Sequence, residues 1–372
     1  MAFCVLVAGL SVGVVLGELR SQFHIDGVVA ALHGCTFGVG LLVCGTFAVR
    51  LVDRIGRRAA LGLAASSIAI GITLFCLGPI WPITLLGTAF SGFGGALTVM
   101  VMPGLMSDHH GPNRAAAFSA INGVPGLAGL MFSLVIGAAL AAGLSWRAPY
   151  LILTAMFFIA FIIVGRPVAV PEGTRDADFS LAPLRTRRVV TPWLHIVNAV
   201  LTEFTVGIWG VTYLHEVGKA GSGQAAVLAS VFGVMMFVVR LKVHVLMRWF
   251  GEATVSVSFV IAAIGATLMC FGPSLALRVV GLAVVGFGGA PLYPLTVDRL
   301  YASVGHELDS VTLGAYCALA SGVAVTIGPV LLGVVADAVG LRWAILIVPV
   351  LALIGAATQR PRADTVRSYS VY

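Results

Sequence analysis

The stretch GITLFCLGPIWPITLLGTAFSGFGGA at residues 71–96 returns as GATLMCFGPSLALRVVGLAVVGFGGA at residues 265–290, without a gap and with 13 of 26 positions identical. Both copies carry Leu-x-Cys-x-Gly-Pro and Gly-Phe-Gly-Gly-Ala. A glycine- and alanine-rich chain produces scattered Gly and Ala matches by composition alone, but a shared Cys, Pro and Phe in one register points to duplication. Each copy is an apolar run, a Gly-Pro break and a second apolar run, the pattern of two helices joined by a tight turn. The chain is therefore expected to consist of two related halves offset by 194 residues.

Outside the repeat the same texture continues. The 372 residues are 59% hydrophobic and only 10% charged, with a mean hydropathy of +1.04. That is more apolar surface than a water-soluble fold buries, so lipid is the expected solvent. Apolar runs of about 20 residues recur, the length at which a helix crosses about 30 Å of hydrocarbon with its backbone groups paired internally. The net charge of +7 does not indicate nucleic acid, because the basic residues sit in short loops and form no basic helix face. Cys4, Cys35, Cys44, Cys76, Cys270 and Cys317 fall within apolar runs without CxxC spacing, so neither metal nor disulfide is expected. No basic region precedes the apolar run that starts at Met1, so no cleavable leader is expected.

Runs and breakers place twelve spans at roughly 2–19, 28–49, 59–78, 82–106, 114–143, 147–165, 192–216, 223–249, 253–272, 276–298, 310–336 and 342–358. With both termini in the cytoplasm, inner loops and tail hold fifteen arginines against five basic residues outside, which selects this orientation in the plasma (inner) membrane. The expected organisation is an all-α polytopic membrane protein of two pseudo-symmetric six-helix bundles. Residues 1–165 and 192–358 form the halves, 166–191 a cytoplasmic linker and 359–372 a cytoplasmic tail. Parallel six-helix repeats with a site between them near mid-membrane are a transporter plan.

After span 2 the chain reads Leu51-Val-Asp53-Arg54-Ile-Gly56-Arg57-Arg58-Ala-Ala-Leu61, which resembles the signature between spans 2 and 3 of the major facilitator superfamily. Gly56 permits a tight reversal, and Asp53 with the arginines suits charged hydrogen bonds at the inner membrane face. Asp108 and Arg114 match charged residues that family members carry after span 4. The resemblance implies a cytoplasmic gate built from Asp53, Arg54, Gly56, Arg57, Arg58 and Asp108, in which Asp53, Arg57 and Asp108 latch the halves in the outward-open state. The second half keeps only an echo, Leu246-Met247-Arg248-Trp249-Phe250-Gly251-Glu252. Trp146-Arg147 and Arg342-Trp343 look like the family's outer turns. The resemblance also implies a central cavity lined by spans 1, 4, 7 and 10. This makes Asn198, Trp209, Tyr213 and Tyr293 cavity candidates.

An ionisable group at bilayer depth costs at least about 2.5–3.5 kcal/mol, so each is a candidate functional residue. Glu203 in span 7 and Arg240 in span 8 lie about 15 Å from the cytoplasmic ends of their helices, at depths that allow an ion pair. An opposite charge would keep Glu203 ionised, and a substrate anion competing for Arg240 would let Glu203 take a proton. Arginine in this part of span 8 recurs in family members that carry organic anions, where its planar fork suits a carboxylate. A structural pair that only fixes packing is the alternative. Arg240, His244 and Arg248 follow at i, i+4 spacing and are expected to share a stripe. Ala290-Pro291-Leu-Tyr293-Pro294 in span 10 implies a break that frees backbone carbonyls. His33 and His195 read as buried polar groups.

The expected activity is secondary transport of a small solute, with coupling to protons and an organic-anion substrate as the sharper form. The partners are that solute, the bilayer and protons, and the chain is expected to be monomeric. Two alternatives stand beside it: a drug or metabolite exporter of the same fold, and a transporter-derived sensor without flux. Against the exporter, Thr88 stands where many proton-coupled drug exporters have arginine, and Pro125-Gly126 lies two turns before the exporter Gly-Pro position. Against the sensor, the longest loop is about 26 residues. No nucleotide-binding loop, cofactor site or convergent catalytic group is visible, so no enzyme activity is expected.

Overall fold

The computed structural model describes residues 11–110, 131–132, 134–165, 180–304, 307–308 and 310–359. Every regular element among them is helical. A 3-10 turn, Ser11–Val15, leads into α1 (Leu16–Phe23), followed by α2 (Gly27–Leu77), α3 (Trp81–His110), α4 (residues 134–141) and α5 (Arg147–Gly165). The second part comprises α6 (Arg187–Glu216), α7 (Ser222–Leu241), α8 (Val243–Phe250), α9 (Thr254–Phe271) and α10 (Leu275–Gly289). It ends with α11 (Leu292–Val304), α12 (Ser310–Val339), α13 (Leu341–Ala344) and α14 (Ile347–Thr358). Eight stretches among the described residues are long and apolar enough to cross a membrane. The expected residues 2–10 of span 1, 114–130 of span 5, 166–179 of the linker and 360–372 of the tail lie outside the described residues.

The repeat is visible as packing. A Cβ placed on Gly87 would lie 2.5 Å from the Gly71 carbonyl oxygen, and one on Gly281 would lie 2.7 Å from that of Gly265. A third glycine repeats the arrangement: Gly94 abuts Ala64 and Ile68, and Gly288 abuts Ser258 and Ala262. Every one of these pairs is offset by 194 residues. Three of the identities kept between the copies, the glycines at 71/265, 87/281 and 94/288, are thus positions where α2 meets α3 and where α9 meets α10 at backbone distance. In lipid, close approach of small residues is a main source of helix association.

Three boundaries differ from expectation, each for a local reason. Residues 50–58 read as a loop, yet helical geometry continues through them and only Gly56 departs, at φ 80 and ψ 158. That region is open essentially to glycine alone, so one residue makes the whole reversal. Span 7 begins at Arg187, five residues before the expected start, and Pro192 lies inside α6. Span 8 is broken at Lys242 (φ −108, ψ 13), so the expected Arg240–His244–Arg248 stripe is divided between α7 and α8. The expected break in span 10 falls between Gly289 and Leu292, dividing α10 from α11.

The C-terminal end of α9 shows how the fold settles its orphan carbonyls. The last four C=O groups of a helix have no intrahelical donor. Here Tyr213 Oη donates to Met269 O at 2.7 Å, Arg342 Nε to Cys270 O at 3.0 Å and Arg278 Nε to Gly272 O at 3.0 Å. Arg278 also donates to Val217 O at the end of α6. Cations at helix C-termini are favoured by the helix dipole. Arg278, one of the five basic residues that the charge count places outside, is therefore a buried cap. Tyr213→Phe should lower the thermal stability of the purified protein by about 1–2 kcal/mol, the cost of leaving a buried acceptor unpaired.

Candidate functional site

Three helices converge on one guanidinium. Glu203 lies near the middle of the 30-residue α6 and is only 6% exposed. Arg240 is the penultimate residue of α7 and is partly buried. Its Nη2 donates to both carboxylate oxygens of Glu203, at 3.0 and 3.1 Å, and its Nε donates to Ala290 O at 3.2 Å. Ala290 follows the last turn of α10, at the break before α11.

The third nitrogen, Nη1, has no acceptor among the described residues. It is also not among the buried polar atoms that lack one. A guanidinium offers five N–H donors in a rigid plane. Glu203 engages Nη2 and Ala290 engages Nε, so Nη1 is the nitrogen left without an acceptor among the described residues. Chemically, the arrangement can hold Glu203 as a carboxylate and offer charged donors to an incoming anion.

Of the other candidates, Trp209 and Tyr213 have their polar atoms engaged by backbone, whereas Asn198 is engaged only at Nδ2, its Oδ1 being buried without a partner among the described residues. Asn198 Nδ2 donates to Leu351 O at 2.9 Å, which turns the amide toward α14. Trp209 Nε1 donates to Pro329 O at 3.0 Å on α12, and Tyr213 is the α9 cap described above. Tyr293, half-buried at the start of α11, hydrogen-bonds with Ser321 and lies within electrostatic range of Cys317, Tyr301 and Glu203. His33 is fully buried, with Nε2 2.7 Å from Thr84 Oγ1 and Nδ1 3.0 Å from Ala30 O. Thr88 Oγ1 lies 2.6 Å from Thr36 Oγ1, tying α2 to α3.

At the end that the charge bias assigns to the cytoplasm, Asp53 and Arg57 are half-buried beside Gly56, while Arg54 and Arg58 are exposed. Asp53, Arg57 and Arg58 all take part in polar or electrostatic contacts. The Asp108 backbone belongs to α3, and its side chain lies outside the described residues, as do Arg114 and Pro125-Gly126. The opposite end carries a contact that the sequence did not suggest. Arg20 at the end of α1 pairs with Glu216, the last residue of α6, at 2.5 Å. Nearby, the Cβ position of Gly27 lies 3.8 Å from the Trp209 ring and 3.6 Å from Asp337 Oδ1. Deeper in, Gly38 and Gly45 of α2 lie directly against Thr326 and Leu319 of α12.

The arrangement matches known proteins along nearly its whole length. Over 96% of this chain and 98% of the other, it superposes on a crystal structure of a point mutant of the nucleoside transporter NupG, with a TM-score of 0.77 at 13% identity. Over 96% of this chain and 94% of the other, it superposes on an inward-facing, occupied structure of a bacterial homologue of the human lysosomal transporter Spinster, with a TM-score of 0.75 at 14% identity. At such identities the likeness is one of fold. In sequence, the chain is 33% identical over 157 residues to the uncharacterized transporter y4wD of Sinorhizobium fredii, a match covering 41% of this chain and 40% of that protein. The family model of the Major Facilitator Superfamily matches residues 1–316. With the Asp-Arg-x-Gly-Arg-Arg turn pivoting on Gly56 and apolar spans duplicated at one offset, the conclusion follows that this chain belongs to the Major Facilitator Superfamily of membrane transporters.

Proposed function

We propose that the chain is a secondary active transporter that carries a small organic anion together with a proton by alternating access. Its twelve spans form two six-helix bundles, residues 1–165 and 192–358, joined by the 166–191 linker, with both termini in the cytoplasm. The observation that carries this reading is Arg240, held at Nη2 by Glu203 and at Nε by Ala290, with Nη1 left over. A substrate carboxylate approaching Nη1 competes with Glu203 for the guanidinium. A buried carboxylate that loses its cation takes up a proton. Anion and proton then bind together and leave together, which is symport. For a monocarboxylate the cycle carries one anion with one proton and is electroneutral.

The test is a flux screen in reconstituted vesicles at two imposed pH gradients, comparing labelled monocarboxylates with an uncharged sugar and a nucleoside. The proposal expects monocarboxylates to accumulate toward the alkaline side, insensitive to membrane potential, and Arg240→Ala to abolish that flux. Accumulation of the uncharged solutes in place of the acids would favour the exporter. No flux of any solute that binds would favour a sensor.

Alternating access requires the outer ends of the first and seventh spans to part, and Arg20–Glu216 bridges them. An exposed ion pair contributes roughly 0–1 kcal/mol, so this latch biases the equilibrium gently. The Ile208 backbone packs against Gly13, and its side chain reaches Gly34 of α2, so this position is covered by the first half of the chain. In an Ile208→Cys background, Glu216→Arg should therefore raise labelling by a membrane-impermeant maleimide about two- to fivefold. The swapped pair Arg20→Glu/Glu216→Arg should return it to the starting rate. Equal labelling in all three proteins would remove the latch.

A further inference from the structure

Arg240 needs a backbone carbonyl in the middle of a helical span, where a regular helix has none to spare. In an unbroken helix the N–H of residue i occupies the carbonyl of residue i−4. The residue in register with Ala290 O is position 294, which is Pro294 and has no N–H. A proline ring also crowds the carbonyl four residues before it and turns it out of line. The next carbonyl, Pro291 O, is already taken by Leu295 N at 3.1 Å, and Gly286 O, one turn earlier, by Ala290 N at 3.1 Å. Of the two prolines at this break, Pro291 is in register with Phe287 O and leaves Ala290 O untouched. Pro294 alone vacates the acceptor that Arg240 Nε uses at 3.2 Å.

We propose that Pro294 is a positioning residue for substrate recognition. By withholding an N–H from Ala290 O it supplies the acceptor that fixes Arg240 Nε, and so sets the plane in which Nη1 meets a carboxylate. The inference rests on the reading of Arg240 as the anion-binding group. Glu203 alone restrains only Nη2 and leaves the guanidinium free to swing about that nitrogen. A second anchor, at Nε, fixes the plane. The device therefore selects planar acids whose oxygens lie in the guanidinium plane.

The two claims separate experimentally. The full-length protein in lipid nanodiscs, labelled with 15N at arginine Nε, gives an Nε–H signal for Arg240, assigned by its loss in Arg240→Lys. The proposal expects that proton to exchange slowly with water. In Pro294→Ala the new N–H captures Ala290 O, and exchange of the Arg240 Nε proton should accelerate about tenfold, the order expected for loss of one hydrogen bond. Pro291→Ala, which removes a proline from the same break, should leave exchange unchanged. Lactic acid incorporated at position 294 has neither ring nor N–H and should restore slow exchange, which separates the missing donor from proline's effect on the helix. Exchange in Pro294→Ala equal to the unsubstituted protein, or an equal acceleration in Pro291→Ala, would overturn the proposal. Carboxylate flux unaffected by Arg240→Ala would instead overturn the underlying assignment of the site, whatever Pro294 does to the exchange rate.

Discussion

Arg240→Met with Glu203 retained should abolish carboxylate flux and also destabilise the protein, by about 3–5 kcal/mol, because it strands a buried carboxylate without its cation. Glu203→Gln/Arg240→Met tells the two effects apart. Replacing both members of a buried pair with neutral groups of similar volume is often close to neutral in stability. The double variant should therefore recover most of the lost thermal stability, short of about 1 kcal/mol for the Ala290 carbonyl left without its donor. It should recover no flux. Thermal unfolding in detergent and vesicle flux, measured on the same preparations, check both arms. If the pair only fixed the packing of α6 against α7, the double variant would regain transport along with stability.

Leucine at Gly87 or Gly281 should prevent recovery of folded protein. A Cβ at either site lies 2.5–2.7 Å from the facing backbone at residues 71 and 75 or 265 and 269. Backbone cannot be rotated aside as a side chain can. Overpacking a close interface costs typically 1–3 kcal/mol and more where nothing relaxes. Gly62 of α2 has nothing within 4 Å of its Cβ position, and Gly62→Leu should express as the unsubstituted protein does. Monodisperse yield after size-exclusion chromatography reads the difference. Equal losses at Gly87 and Gly281 would further show that the two copies of the repeat rely on the same contact.

Much of this fold was legible because lipid leaves a chain few choices. Apolar length forecast the helices, and the 194-residue register marked places where they touch, since the glycines at 71/265, 87/281 and 94/288 are points of close backbone approach. The errors lie where one signal has two meanings. The Asp53–Arg58 charge run reads as a loop, but charged side chains at a membrane face are equally at home on helix ends, and Gly56 alone breaks the geometry. Pro192 reads as a helix start, yet α6 carries it in its second turn. At Lys242 neither glycine nor proline announces the break.

The site divides in the same way. Equal depth on neighbouring spans brought Glu203 and Arg240 together on paper, and two prolines forecast a freed carbonyl in span 10. That Arg240 itself takes this carbonyl depends on rotation about helix axes, which composition does not encode. The same blindness to rotation made cavity candidates of Asn198, whose amide turns to α14, and Tyr213, whose hydroxyl caps α9. Arg20–Glu216 was beyond reach for a further reason. Its partners are 196 positions apart, and each alone resembles an ordinary interfacial charge.

The most direct test of the account is whether Glu203 carries the proton that accompanies the anion. In vesicles loaded with a pH-sensitive dye and given a monocarboxylate gradient with no pH gradient, the unsubstituted protein should acidify the lumen as the acid enters. Glu203→Gln should exchange labelled monocarboxylate across the membrane while leaving the dye silent. Acidification by Glu203→Gln at the rate of the unsubstituted protein would contradict the assignment of the coupling site to this pair.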